Sequence, residues 1–112
     1  MKHIITGKIG EAKAYNFAKN QGYEIIEANY RNFIGEIDLI YRDGTTLVFC
    51  EVKTRTSEKF GLPREAVTPA KQRKIRMVAS VYIKNCPKNY EHYRFDVMEI
   101  IDDDITLIKN AF

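Results

Sequence analysis

Apolar and polar positions along the chain switch period several times, and each switch marks an element. From about Gly7 to Gln21, Ile9, Ala12, Tyr15 and Phe17 or Ala18 recur at helical spacing, with Gly22 placed as a C-terminal cap. Tyr23 to Tyr30 has a β-rich centre at Tyr23, Ile25, Ile26 and Ala28, which predicts a first strand. Gly35 to Tyr41 and Leu47 to Arg55 are two further apolar runs separated by a turn at Asp43-Gly44, the pattern of a β-hairpin. The polar stretch Thr56–Pro63 reads as a loop. Arg64 to Lys84 then carries the stripe Val67, Ala70 or Lys71, Ile75, Val78 and Tyr82. Within it, Thr68 and Pro69 predict an N-cap and first helical position. Tyr93 to Ile101 alternates as a strand, Asp102-Asp103-Asp104 as a hairpin turn, and Ile105 to Lys109 as a closing strand. The predicted order is α-β-β-β-α-β-β in one domain over residues 1–112, and the pattern alone allows α/β or α+β.

Three charges interrupt this pattern. Asp38, Glu51 and Lys53 lie in or at the ends of hairpin runs that otherwise read as buried. A buried charge costs several kcal/mol unless it is paired or bound to a metal. Strand alternation puts Glu51 and Lys53 on one face with Leu47 and Phe49, and Val48, Cys50 and Val52 on the other. A loop of Asp43-Gly44 alone sets Asp38 opposite Phe49 and diagonal to Glu51. A loop from Asp43 to Thr46 sets it directly opposite Glu51, with Cβ atoms roughly 4.5–5.5 Å apart. Either even-length loop gathers all three charges on one side, and an odd loop without a bulge turns Asp38 away. Two opposed carboxylates repel, and a hard divalent cation reconciles them. Mg²⁺ takes one or two carboxylates, waters and a substrate phosphate, and an adjacent Lys53 can orient a water or offset developing negative charge.

The motif Asp38…Glu51-x-Lys53 across a hairpin resembles the active site of the PD-(D/E)xK, or restriction-endonuclease-like, superfamily. The longer strings Gly35-Glu36-Ile37-Asp38-Leu39-Ile40 and Val48-Phe49-Cys50-Glu51-Val52-Lys53-Thr54-Arg55 look like the YraN family of small bacterial proteins, related to archaeal Holliday-junction resolvases. The resemblance runs from Gly7 to Asp96, and Ile37 stands where the superfamily motif usually has proline. It implies an α/β fold with a mixed central sheet flanked by helices. It also implies a metal-dependent DNA endonuclease using Mg²⁺ or Mn²⁺, with branched or structured DNA as substrate and a homodimer as an assembly open to it. Asp38 and Glu51 then hold the metal with the Val52 carbonyl, and Lys53 is catalytic. Glu11 on the first helix matches the glutamate that completes the site in resolvase-like nucleases. Its other reading is a surface glutamate favoured by the helix dipole.

Nucleic-acid contacts are expected from Arg55, Gln72, Lys71, Arg73, Arg76 and Arg31, although Gln72 reads equally as a surface residue and Arg31 as half of a surface ion pair. Glu36 shares a face with Asp38 as a reserve carboxylate. Two other classes stay open. One is a non-catalytic nucleic-acid-binding or adaptor module on a nuclease fold. The other is a structural ion cluster in which Lys53 bridges the two acids.

Composition changes this picture little. The 112 residues are 45% hydrophobic and 29% charged with a net charge of +3, ordinary for a soluble domain. Charge placement says more, because Lys53 to Arg76 holds eight basic residues against Glu58 and Glu65. A phosphate backbone following the Glu-x-Lys would meet them, and a solvated helix face is the alternative. No apolar run reaches the ~20 residues that span a bilayer, and the N-terminus lacks a secretory pattern, so a cytoplasmic location is expected. Cys50 reads as a small buried hydrophobe, and two cysteines with His3 and His92 make no zinc pattern. Asp96 is expected to be structural, paired with a basic neighbour.

Overall fold

The computed structural model describes residues 2–55 and 67–112, with side chains from Ile9 onward in those segments. The expected loop at Thr56–Pro63 and the helical start at Arg64, with Lys59, lie outside the described residues. The order is α1 (Lys2–Asn20), β1 (Glu24–Arg31), β2 (Glu36–Asp43), β3 (Thr46–Arg55), α2 (Pro69–Asn85), β4 (His92–Ile101) and β5 (Asp104–Ile108), as the pattern predicted. The five strands form one sheet in chain order, β1-β2-β3-β4-β5. Only β3 and β4 are parallel; the other neighbours are antiparallel. The chain between the parallel strands contains α2, which supplies the long crossover that parallel pairing requires.

Local chemistry sets the element ends. Helix α1 ends with Gly22 at φ +86°, where Gly22 N–H donates to Lys19 O and Tyr23 N–H to Ala18 O. That bonding satisfies the last carbonyls, and glycine takes the left-handed position without a Cβ penalty. Thr68 Oγ1 accepts from Lys71 N–H at 3.2 Å, and Pro69 occupies the first turn of α2. Gly44, at φ +61°, starts the two-residue turn between β2 and β3.

The sheet separates two cores. On one face Ala14 and Ala18 of α1 pack on Leu39, Tyr41, Val48, Cys50, Met98 and Ile100, with the Tyr23 and Tyr41 rings stacked at 4.8 Å. On the other, Ile75, Val78 and Ala79 of α2 pack on Ile40, Leu47, Phe49 and Val97. The β3 alternation is therefore as read: Val48, Cys50 and Val52 face α1, Leu47 and Phe49 face α2. Helix α1 lies so close to β3 that a Cβ on Gly10 would overlap Thr54 Oγ1. This approach carries the next residue, Glu11, to the sheet. Among the described residues no helix is long and apolar enough to cross a membrane.

Candidate functional site

The β2–β3 register decides whether the charges meet. Backbone partners run from Asp43↔Thr46 to Leu39↔Cys50, and the ladder ends there, one residue short of Asp38 and Glu51. This is the register expected from the longer loop, reached with a two-residue turn because Asp43 and Thr46 themselves pair. Past that end the bonding partner changes. Val52 N–H donates to Asp38 Oδ2 at 2.8 Å, so a side-chain carboxylate takes the place of a backbone acceptor. The Val52 carbonyl points to the same strand edge as its N–H, toward Asp38. On the other side of Asp38, the pairs Ala28↔Leu39 and Tyr30↔Ile37 set Asn29 across from it, and Asn29 is left-handed at φ +55°.

Glu51 is nearly buried, at 8% exposure. Its Oε1 lies 3.0 Å from Lys71 Nζ and 3.7 Å from Lys53 Nζ. Burial, then the charge of Glu51, push the Asp38 carboxyl up to about 7; the Val52 N–H opposes this, and Glu11 and Glu36 add to it. Burial and the neighbouring Lys71 amine lower Lys53, against the pull of Glu51 and Asp38. Burial lowers Lys71 too, but its contacts with Lys53 and Glu51 outweigh that and leave it raised. Asp38 is thus held toward its neutral, protonated form, while the ammonium groups gather on Glu51.

Two clefts flank this cluster. One, of about 460 Å³, is lined by Glu11, Tyr15, Asn16, Asn29 and Asp38. The other, of about 430 Å³, is lined by Arg31, Phe33, Glu36, Lys71 and Lys74 among others.

Glu51, Lys53 and Lys71 come together, and Asp38, which shares a cleft with Glu11, is near enough to Glu51 to feel its charge. The remaining expected contacts are dispersed. Arg55 is mostly buried beside Glu99, with Nε 3.0 Å from Oε1. Gln72 Nε2 donates to Val67 O at 2.9 Å and so ties down the residue preceding the cap. Arg31 pairs with Glu36 at 2.7 Å, the surface pair foreseen as its alternative. Arg73 faces solvent. Arg76 lies over the Phe95 ring at 4.7 Å and the Phe112 ring at 5.7 Å.

Sequence reasoning passed over Glu99. It is 1% exposed, sits beside Lys53 in the parallel register, and receives no well-directed hydrogen bond from a described residue. Burial raises it, against Arg55 and Lys53. An acid inside the run Val97-Met98-Glu99-Ile100 was the available signal; its partner strand was not readable.

Among the described residues no three Asp, Glu, His or Cys side chains converge as a metal cage. Two hard carboxylates with a backbone carbonyl still match what Mg²⁺ or Mn²⁺ requires, since those ions keep several waters. The chemistry of the donor set is what fits: burial and then the charge of Glu51 oppose ionisation of Asp38, and a divalent cation held by these acids would relieve both.

A mixed sheet between two helices, with two acids and a lysine where its central hairpin parts, defines an α/β protein of the arrangement expected for restriction-endonuclease-like folds. The chain belongs to the UPF0102 (YraN) family, described as "Uncharacterised protein family UPF0102", whose model matches residues 10–100. A UPF0102 protein of Caldicellulosiruptor saccharolyticus is 47% identical over 95% of both chains. One from Syntrophus aciditrophicus is 44% identical over 99% of this chain and 91% of its own. UPF0102 protein THEYE_A1950 of Thermodesulfovibrio yellowstonii is 45% identical over 100% of this chain and 99% of its own.

Proposed function

We propose that the protein is a metal-dependent DNA endonuclease that hydrolyses phosphodiester bonds at the Asp38–Glu51–Lys53 cluster. The gathering of Asp38 and Glu51 just past the end of the β2–β3 ladder carries this reading, because nothing in folding requires two acids to be held near each other there. Asp38, Glu51 and the Val52 carbonyl would hold Mg²⁺ or Mn²⁺, with Glu11, in the same cleft as Asp38, completing the set. When bound, the metal supplies Lewis-acid polarisation of the scissile phosphate and acidifies the attacking water. The chain does the rest. Lys53 holds the water in line with the phosphorus and donates to the oxygen that gains charge in the transition state. Lys71, which now pairs with Glu51, would be available to a second phosphate oxygen if Glu51 served as a metal ligand. Lys74 and Arg31 line the cleft along which the strand would lie. The resemblance to junction resolvases supports branched or otherwise structured DNA as substrate, and makes a homodimer plausible.

The pairing of Lys71 with Glu51, where a metal ligand is needed, favours a second reading: a nucleic-acid-binding module that does not cut. A cleavage assay separates them. Junctions, flaps, single strands and duplex are incubated with Mg²⁺ or Mn²⁺ and the wild type, Asp38→Ala or Lys53→Ala. Cleavage by the wild type and a loss of at least about a hundredfold in both variants is the expected result. DNA binding without cleavage, together with no affinity for Mn²⁺, selects the second reading. Cleavage that persists undiminished in both variants overturns the site.

A further inference from the structure

Phe33 is 87% exposed, the most exposed large hydrophobic side chain among the described residues. The loop that presents it is firmly held. Asn32 Nδ2 donates to Tyr30 Oη at 3.1 Å and to Val78 O at 3.2 Å, its Oδ1 accepts from Ile34 N–H at 3.0 Å, and its N–H donates to Gly35 O at 2.9 Å. Gly35 lies so close to α2 that a Cβ there would stand 3.0 Å from Lys74 Cε and 3.3 Å from Val78 Cγ2. Ile34 packs into the α2-side core. Both neighbours of Phe33 are anchored, yet its ring projects into water. Such a ring adds nothing to the fold. It stands at a cleft lined by Arg31, Lys71 and Lys74 against the single acid Glu36, and Lys71 joins that cleft to Glu51.

We infer that Phe33 is a stacking platform for an unpaired nucleobase, so that the cleft selects DNA with single-stranded or splayed-out bases next to the phosphate at the cluster. Cations along the cleft track the backbone, and an aromatic face set beside them takes a base of any identity. The cationic lining favours this occupant over a second copy of the chain, whose matching cleft would bring like charges together. The inference rests on the nucleic-acid reading of the cluster, but its test needs neither metal nor cleavage.

The chain has no tryptophan, so Phe33→Trp introduces a single indole at the platform. Its fluorescence is followed in EDTA during titration with a single-stranded oligonucleotide, a blunt duplex and heparin. Quenching by the single strand, and little by duplex or heparin, is expected. Phe33→Ala should weaken single-strand affinity about tenfold while leaving duplex affinity unchanged. Lys74→Ala should weaken binding to all three polyanions and flatten the salt dependence. Equal single-strand affinity in Phe33→Ala and wild type overturns the inference, as does an indole signal that changes with protein concentration alone, which marks self-association. Quenching in a protein that cleaves nothing supports the platform and counts against the nuclease. Cleavage with no Phe33 effect does the reverse.

Discussion

Asp38→Asn is expected to make the metal-free protein more stable at pH about 8 and to remove its response to divalent ions. The substitution keeps an oxygen to accept the Val52 N–H and deletes the charge that burial, Glu51, Glu11 and Glu36 all oppose. The sign follows from proton counting. With its carboxyl raised from 3.8 to about 7, folded Asp38 binds more protons than unfolded Asp38 across that interval, so wild-type stability falls as pH rises through it. The penalty is complete above pH about 7 and absent below about 4. A shift of one unit is about 1.4 kcal/mol, and partial solvent access reduces the total to roughly 1–3 kcal/mol, or about 5–10 °C in melting temperature. Thermal melts in EDTA across this range should show the variant's advantage growing with pH. Millimolar Mn²⁺ should then raise the wild-type melting temperature and leave the variant unmoved. An advantage that does not depend on pH, or a variant less stable than wild type at alkaline pH, would contradict the electrostatic origin of the strain. A functional site that costs stability fits the trade-off seen where charges are held for chemistry.

The largest loss of stability is expected from Asp96→Ala. Asp96 is fully buried and accepts from Tyr41 Oη at 2.6 Å, Arg94 Nε at 2.8 Å, Arg94 Nη2 at 3.0 Å and Asn110 N–H at 3.0 Å. Arg94 also donates to Asp43 Oδ2 at 2.9 Å, at the foot of the hairpin. Burial holds the Tyr41 phenol well above its usual range, so it stays a donor. Removing Asp96 leaves a buried hydroxyl and a half-satisfied guanidinium, at a cost of about 3–5 kcal/mol. Urea denaturation should show it. The double substitution Arg94→Met with Asp96→Leu should recover only the part of the loss due to the half-satisfied guanidinium, since the Tyr41 hydroxyl and the part-exposed Asp43 carboxylate still lose their partners. A single-variant loss below about 1 kcal/mol would mean that the network is solvated.

Asp96 also shows how far the sequence could be read. Its structural role and a basic partner were foreseeable from a lone acid in an apolar strand, but Tyr41 and Asn110 as partners depend on tertiary packing. The hairpin was legible as a set of registers. What chose among them was the pairing of Asp43 with Thr46, which left Gly44-Thr45 as the turn. Thr68-Pro69 marked the start of α2 because capping chemistry is local. Helix α1 begins at Lys2, ahead of the expected Gly7, since Ile4, Ile5, Thr6 and Gly7 are weak helix formers that local propensity reads against. The parallel pairing of β3 with β4 is set across a crossover, so the placement of Glu99 beside Lys53 had no local signature. Lys71 read as a phosphate contact from its position in the first turn of α2. Its contact with Glu51 depends on how the helix docks, which stripe periodicity does not specify.

The claim on which the site rests is that Asp38 and Glu51 are held near each other, past the end of the hairpin ladder, to share a divalent cation. Calorimetric titration with Mn²⁺ at pH about 6, repeated in buffers of different ionisation enthalpy, tests it most directly. Binding at about one site per chain with release of about one proton, supplied by Asp38 and lost in Asp38→Asn, is the expected result. Absence of binding at millimolar Mn²⁺, or equal binding and equal proton release in the variant, would contradict it.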